Sequence, residues 1–238
     1  MFTDWVTVSF GCTENPQTKD ALYLHIRAFT KQFPHSFTRQ TFGSLSLCLP
    51  GKFWQGIEEQ EGFTHIDDIL RWCATGHVTR VDFAHDWNLD EVDAAPIWSA
   101  IGALGNVTRL EGPSGKTWYV GSRESQRYAR LYDKRAEIKA KTGVDIMFPV
   151  LRFEVELKGK AAPQYFWTYR QTPRAIQSDI ATRYGLAEFM TGSSTDVIRV
   201  AGAPQADPFA FVNHFRRAIA RARAADPRLF DELIPAKC

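Results

Sequence analysis

Three stretches in the middle of the chain alternate apolar residues with charged or nucleophilic ones. Side chains of a strand point to opposite faces with a period of two, so each stretch predicts a strand with one apolar and one reactive face. The reactive faces carry Asp82 and Asp86 in the first stretch, Tyr128, Arg130, Tyr132 and Lys134 in the second, and Arg152, Glu154, Glu156 and Lys158 in the third. If the strands are neighbours and their apolar faces pack on helices, these groups share one surface. We therefore predict an active site on that surface.

The remaining periodicity predicts an α+β fold with a central antiparallel β-sheet flanked by helices and a helical C-terminal tail. The predicted strands cover residues 4–10, 43–49, 78–86, 107–110, 116–120, 127–133 and 150–158. The predicted helices follow Pro16 and cover residues 66–74, 92–104, 134–141, 164–169, 173–184 and 208–223. Because helices replace strands after residue 158, we expect a sheet domain over residues 1–160 and a helical extension over 161–238, packed on the same core.

Charge is distributed unevenly along the chain, although the formal net charge is only +2. Residues 55–106 carry ten acidic side chains against two basic ones, whereas residues 107–142 carry nine basic against four acidic. A segregated basic segment is what contact with a phosphate backbone requires. The residues expected to contact DNA are Lys116, Arg123, Arg127 and Arg135. The alternative is a solvated surface that balances the acidic neighbour.

Composition excludes several classes of protein. With 44% hydrophobic and 24% charged residues, the chain has the composition of a folded globular protein. No apolar run approaches the ~20 residues needed to cross a bilayer, and the first ten residues lack the order of a secretory signal, so we expect a cytoplasmic protein without membrane contact. The four cysteines are far apart and form no CxxC pair, which favours reduced thiols over a zinc site or a disulfide framework.

Carboxylates from two of the predicted strands offer hard oxygen ligands for Mg²⁺ or Mn²⁺. The candidate ligands are Asp82, Asp86, Glu154 and Glu156. Such a cation stabilises the charge that develops on a phosphodiester during displacement. Asp86 and Glu156 are the weaker candidates, since a salt bridge, or a contact that supports a metal ligand, explains each of them better. Asp82 could also be a structural acid paired with Arg80 or Arg152.

Tyr132 is the candidate nucleophile of this surface. A phenol has a pKa near 10, so it needs a group that removes its proton or stabilises the phenolate. Lys134 and Arg130 lie on the same predicted face and could stabilise the phenolate. Attack on DNA would produce a phosphotyrosine. Tyr128, four residues earlier on the same face, is a candidate second nucleophile, and Glu137 is better explained by a position near a helix start.

The sequence resembles the replication initiation factor (Rep_trans) family of rolling-circle plasmids and filamentous phages. Residues 117–137, TWYVGSRESQRYARLYDKRAE, are similar to the family's Tyr-x-Gly-x-Arg-x-Ser segment followed by Arg-x-Tyr-Asp/Asn-Lys-x-x-Glu. RVDFAHD at residues 80–86 resembles its Arg-x-Asp-x-Ala-x-Asp strand, and LRFEVELK at 151–158 its Arg-x-Glu-x-x-x-Lys strand. The three motifs stand in the family's order over the central third of the chain.

The resemblance implies that Tyr132 nicks DNA and that Asp82 and Glu154 hold the metal. It implies a fold related to the HUH endonucleases, with carboxylates in place of their His-x-His pair. The expected activity is site-specific nicking and rejoining at a double-strand origin through a 5′-phosphotyrosine on the nicked strand. A host helicase, a polymerase and a second copy of the chain are further expected partners. The alternatives are a non-catalytic DNA-binding regulator of replication and a conjugative relaxase.

Overall fold

The computed structural model describes residues 1–11, 16–41, 44–72, 76–112, 115–146 and 149–190. In chain order, the strands are β1 (Phe2–Gly11), β2 (Phe37–Thr41), β3 (Ser44–Leu49), β4 (Gly76–Asn88), β5 (Val107–Gly112), β6 (Gly115–Val120), β7 (Arg127–Asp133) and β8 (Val150–Lys158). The helices are α1 (Pro16–Gln32), α2 (Gly51–Gln55), α3 (Glu59–Trp72), α4 (Ala94–Gly102), α5 (Lys134–Thr142), α6 (Ala161–Gln171) and α7 (Pro173–Arg183).

The chain divides into two compact units. The first contains Met1–Val8 and the described residues from Val78 onward, and the second contains Ser9–His77. The helices α6 and α7 belong to the first unit. The sequence-based boundary at residue 160 stays a prediction, because residues 191–238 lie outside the described part of the chain.

The first unit is built on a β-sheet with the strand order β1-β4-β8-β7-β6-β5. From β4 to β5, every pair of neighbouring strands is antiparallel. The predicted antiparallel sheet is therefore confirmed, and the three strands with reactive faces lie next to each other in its middle.

The apolar face of this sheet packs against helices. The ring of Phe83 on β4 lies 4.6 Å from that of Tyr169 on α6, and Phe153 on β8 lies 5.1 Å from Tyr184, which directly follows α7. All four rings are almost completely buried. Removal of such large apolar groups from water is the main stabilising contribution to a core. This packing turns the reactive side chains of β4, β8 and β7 to the opposite face.

The second unit pairs β2 with β3 antiparallel, with Phe37 opposite Cys48. Helix α3 begins at Glu59, seven residues before the predicted start at residue 66. Gly62 explains why the predicted helix started too late, since glycine disfavours a helix interior. It is needed there, because a Cβ at this position would lie 2.3 Å from the ring of Trp54.

Other predicted elements agree closely with the structure. The bounds of β7 and β8 are those predicted, and the predicted hairpin corresponds to β5 and β6. Strand β2 and helix α2 were not predicted. Cys48 is buried, as expected, whereas Cys12, Cys73, Cys238 and the predicted helix over 208–223 lie outside the described residues.

None of the described helices combines the length and the apolar character that a membrane-spanning segment needs.

Candidate active site

Strand register places the reactive side chains side by side on one face of the sheet. Opposite one another on β4 and β8 are Asp82 and Glu156, Ala84 and Glu154, and Asp86 and Arg152. On β8 and β7 the opposed pairs are Glu156 and Tyr128, Glu154 and Arg130, and Arg152 and Tyr132. Asp82 and Glu154 are thus diagonal neighbours, a separation of roughly 7–8 Å that long side chains bridge. The shared surface expected from the alternation therefore exists.

The hydroxyl of Tyr132 occupies the centre of a hydrogen-bond chain. It donates to Glu154 Oε2 at 3.1 Å and accepts from Lys134 Nζ at 3.2 Å. Arg130 donates to the other oxygen of Glu154 at 2.6 Å. The guanidinium of Arg130 and the ammonium of Lys134 also lie 5.0 Å and 5.3 Å from the centre of the phenol ring. The phenol therefore lies among charged groups, even though only 3% of it is exposed.

The charges around Tyr132 keep its proton on the hydroxyl. Burial and the neighbouring Glu154 raise the pKa of Tyr132 well above 10, and Arg152 and Arg130 compensate only in part. Burial alone would raise the pKa of Glu154, but Arg130 and the other cations around it hold that pKa below its usual value. In this state the phenol is a hydrogen-bond donor and the carboxylate is its acceptor.

Helix α5 determines the position of Lys134. The carboxylate of Asp133 caps the helix by accepting a hydrogen bond from the backbone N–H of Ala136 at 2.8 Å. Lys134 is consequently the first helical residue, directly after the strand that carries Tyr132. Glu137, one turn further, accepts from Lys134 at 2.6 Å and from Lys141 at 2.6 Å. It therefore orients the ammonium group towards the phenol, in addition to its predicted place near the helix start.

Arg80 links two of the predicted metal ligands. Its guanidinium binds Asp82 through two hydrogen bonds, of 2.8 Å and 2.5 Å, and lies 2.8 Å from Glu156. The second oxygen of Glu156 lies 2.9 Å from Lys158 Nζ. Both oxygens of Glu156 therefore contact cations, which agrees with the salt-bridge alternative for this residue. Arg80 is one of the two partners that the structural alternative gave for Asp82.

Asp82 should make stability depend on pH. Burial is the main cause that raises its pKa from 3.8 to about 8; Glu154 and Glu156 act in the same direction, and Arg80 opposes them. Between these two values, the unfolded chain has lost the proton that the folded chain keeps. The free energy of unfolding should therefore fall as pH rises from about 4 to about 8. Urea denaturation in EDTA measures this slope.

The comparison variant for that measurement is Asp82→Asn, which cannot titrate. Wild type should lose stability relative to this variant across the same pH window. A difference between the two proteins that stays constant from pH 4 to pH 8 would show that Asp82 does not keep its proton in the folded state.

Arg152 forms a buried ion-pair cluster at the other end of the face. It binds Asp86 through two hydrogen bonds, of 2.6 Å and 2.7 Å, and Asp4 on β1 at 3.0 Å. Only 1% of Arg152 and 6% of Asp86 is exposed. Bidentate geometry of this kind favours a fixed structural pair. Asp86 therefore contributes by holding Arg152 beside Tyr132, as the salt-bridge alternative proposed.

The predicted DNA contacts are not gathered in one place. Lys116 lies 4.5 Å from the ring centres of both Trp98 and Trp118. Arg135, on α5, forms an ion pair with Asp145 at 2.7 Å. Arg127 lies 5.5 Å from the ring centre of Tyr165 on α6, on the helix-covered side of the sheet. Of the four, Arg123 lines a cleft on the reactive face. Whether any of them binds DNA stays a prediction.

Asp4, Arg80 and Lys158 are site residues that were not among the predicted catalytic, metal-binding or DNA-binding residues, although Lys158 was placed on the reactive face and Arg80 was named as a possible partner of Asp82. Arg80 and Lys158 lie opposite each other in register and belong to the reactive faces of their strands, so alternation carried the signal. The sequence signal for Asp4 was weaker, because it is an isolated acid at the start of a mostly apolar strand. Its contact with Arg152 depends on which strand lies beside β4, which periodicity does not indicate.

The predicted metal ligands suit a hard cation by donor chemistry, since Asp82 and Glu154 supply carboxylate oxygens from adjacent strands. Their present partners are arginines, at 2.5 Å and 2.6 Å. Among the described residues, no three acidic, histidine or cysteine side chains are gathered around one point. A cation at this face would therefore have to displace an arginine from at least one carboxylate.

Comparisons with known proteins agree on one family. Residues 98–200 match the family described as replication initiation factor. A replication initiation protein from Staphylococcus aureus is 33% identical over 94 residues, which make up 38% of this chain and 29% of that protein. The chain thus spans less than a third of this relative.

The fold is similar to a solved structure of the rolling circle replication initiator protein from Geobacillus stearothermophilus. The TM-score is 0.46 at 14% identity, over 88% of this chain and 93% of that one. The family match over residues 98–200 includes the segment that carries Tyr132, Lys134 and Glu154. Over residues 98–200, the chain is therefore similar to the replication initiation factor family.

Proposed function

We propose that this protein initiates rolling-circle replication by nicking one DNA strand with Tyr132. The phenol oxygen would attack a phosphodiester, forming a bond to phosphorus while the bond to the 3′ oxygen breaks. The product would be a 5′-phosphotyrosine and a free 3′ hydroxyl, and the reverse reaction would rejoin the strand. The observation that carries this proposal is the hydrogen bond from Tyr132 to Glu154, with Lys134 on the same hydroxyl.

The hydrogen-bond chain supplies the proton transfers of such a reaction. Glu154 Oε2 is placed to accept the phenolic proton, and Lys134 to stabilise the phenolate that remains. The pKa of the phenol lies far above that of the carboxyl, so the transfer is unfavourable before DNA binds. We infer that the site is held inactive until a bound ligand lowers the pKa of the phenol.

Access to the phenol also requires movement. The side chains of Lys134 and Arg130 lie next to Tyr132 and are 18% and 32% exposed. An incoming phosphate would offer Lys134 a stronger anionic partner than the phenol oxygen, and it would offer Arg130 an alternative to Glu154. Their displacement towards the phosphate would uncover the hydroxyl at the moment when the substrate arrives.

A divalent cation, Mg²⁺ or Mn²⁺, is part of this proposal. Asp82 and Glu154 would hold it, and Asp86 and Glu156 would remain with their cationic partners. When bound, the cation would polarise the phosphodiester and offset the charge of Glu154. This exchange of partners is local, since Arg80 and Arg130 are partly exposed at the surface.

Removal of the metal should stop nicking. EDTA should reduce the rate on a supercoiled plasmid that carries the protein's own gene region, and Mn²⁺ should restore it. Glu154→Gln and Asp82→Asn should each lower the rate by a factor on the order of 10² or more, because several kcal/mol of transition-state stabilisation are lost. The assay measures the open circle that remains linked to protein.

Glu124→Gln is the matched control, since Glu124 is exposed in the turn between β6 and β7. It should nick at the wild-type rate. If Glu154→Gln or Asp82→Asn retained full activity in Mn²⁺, that residue would have no part in holding the cation.

A non-catalytic DNA-binding regulator is the second candidate. The 3% exposure of Tyr132 and the pairing of the acids with arginines favour it. It predicts retention of a specific duplex without cleavage in Mg²⁺ or Mn²⁺. Covalent capture of DNA excludes it.

A further inference from the structure

A cleft of about 200 Å³ opens on the reactive face, beside the residues that surround Tyr132. Its lining contains four cationic side chains against two carboxylates, together with one tyrosine. The cations are Arg80, Arg123, Arg130 and Lys158, the carboxylates are Glu154 and Glu156, and the tyrosine is Tyr128. Arg80, Arg130 and Lys158 contact the carboxylates of Asp82, Glu154 and Glu156, so the surplus of positive charge lies at Arg123. A surplus cation at the edge of a cleft favours an anionic ligand there.

The turn between β6 and β7 presents Arg123 to this cleft. Gly121 begins the turn with φ of 85°, a conformation that favours glycine. Ser125 closes it by donating to Ser122 O at 2.7 Å. The guanidinium of Arg123 then lies 5.9 Å from the ring centre of Tyr128. The turn is therefore built in a way that holds one exposed cation over the cleft.

Lys158 fastens this turn to the end of β8. Its Nζ donates to the carbonyl oxygen of Arg123, and its backbone N–H donates to Gln126 O at 2.9 Å. Glu156 lies between Lys158 and Arg80, at 2.9 Å and 2.8 Å. These contacts hold Arg80 and Lys158 in place at the edge of the cleft, in addition to Arg123.

Tyr128 lines this cleft on the same strand as the nucleophile but at some distance from it. It stands four residues before Tyr132 on the same face of β7, a distance of roughly 13 Å along the strand. Its ring stacks on that of Tyr119, with the centres 5.8 Å apart and an angle of 14° between the planes. An anion near Arg123 would therefore lie at a different place from one attacked by Tyr132.

We propose that the cleft binds a second, unreacted phosphate of the single strand that is cut, with Arg123 and Lys158 as its main contacts and Tyr128 positioning Arg123. This inference rests on the proposed function and adds a specific subsite to it. The subsite would fix the register of the strand, so that the phosphate to be cut reaches Tyr132.

Equilibrium binding of a labelled, mixed-sequence single-stranded oligonucleotide to the full chain in EDTA tests this subsite. Arg123→Gln and Lys158→Gln should each raise Kd about tenfold and lower the slope of log Kd against log salt by about 0.7, the loss of one phosphate contact. Arg174→Gln, which removes an exposed cation from α7, should match wild type.

Equal effects of Arg123→Gln and Arg174→Gln would overturn the proposal. Inorganic phosphate, compared with chloride at equal ionic strength, distinguishes the sources of the anion. If phosphate competes in wild type while Arg123→Gln leaves oligonucleotide binding unchanged, the cleft is a site for free phosphate and the proposal is wrong. The assay needs no cleavage, so a protein that never nicks DNA would contradict the proposed function and leave this result intact.

Discussion

Replacement of Tyr132 by phenylalanine is expected to abolish the covalent DNA adduct. The variant lacks the only oxygen that links Lys134 to Glu154, so no nucleophile remains at the centre of the hydrogen-bond chain. Loss of a nucleophile reduces rates by a factor on the order of 10⁴ or more. The adduct is measured by its retarded migration in a denaturing gel, with labelled DNA and Mn²⁺.

The same substitution should leave the fold intact. Glu154 keeps Arg130 at 2.6 Å, and Lys134 keeps Glu137 at 2.6 Å, so the loss of two hydrogen bonds should cost only about 1 kcal/mol. Oligonucleotide affinity should stay near that of wild type. Tyr128→Phe is the matched control and should still form the adduct. An adduct formed by Tyr132→Phe would remove Tyr132 from the chemistry.

Replacement of Arg152 by methionine is expected to destabilise the protein strongly. Methionine keeps much of the apolar volume but leaves Asp86 and Asp4 without the cation that both contact. Removal of one partner from a buried ion pair costs about 3–5 kcal/mol, because the remaining charge stays buried. The free energy of unfolding from urea denaturation, at pH 7 in EDTA, measures this loss.

The control for this variant is Arg135→Met, which breaks an exposed pair with Asp145. Surface pairs are screened by water and contribute little, so its urea midpoint should stay near that of wild type. If Arg152→Met unfolded at the wild-type urea concentration, the cluster would not stabilise the sheet, and Asp86 would again be a candidate for another role.

Much of the site could be predicted from alternation alone, because the strands concerned are buried on one face and reactive on the other. A shift of one residue in the pairing register of β7 would have moved Tyr132 to the helix-covered face. Its proximity to Glu154 followed once β7 and β8 were assumed to be neighbours. The family resemblance then selected Tyr132 over Tyr128, which alternation treats as equivalent.

Ion pairing could not be predicted, because it depends on which side chains reach across strands. Arg80 was named only as one of two partners for Asp82, and its second contact with Glu156 follows from register. Arg127 has the same charge as Arg123 and lies four residues away, but it packs on α6. Net charge along the segment cannot distinguish a cation in a cleft from one against an aromatic ring.

The most direct test identifies the residue that becomes linked to DNA. A protease specific for lysine and arginine would separate the two candidate tyrosines, because Arg130 lies between Tyr128 and Tyr132. Mass spectrometry of the captured complex should find the nucleotide on the peptide Leu131–Lys134, carried by Tyr132. A nucleotide found on Tyr128, or on any residue outside this peptide, would contradict the assignment of the nucleophile.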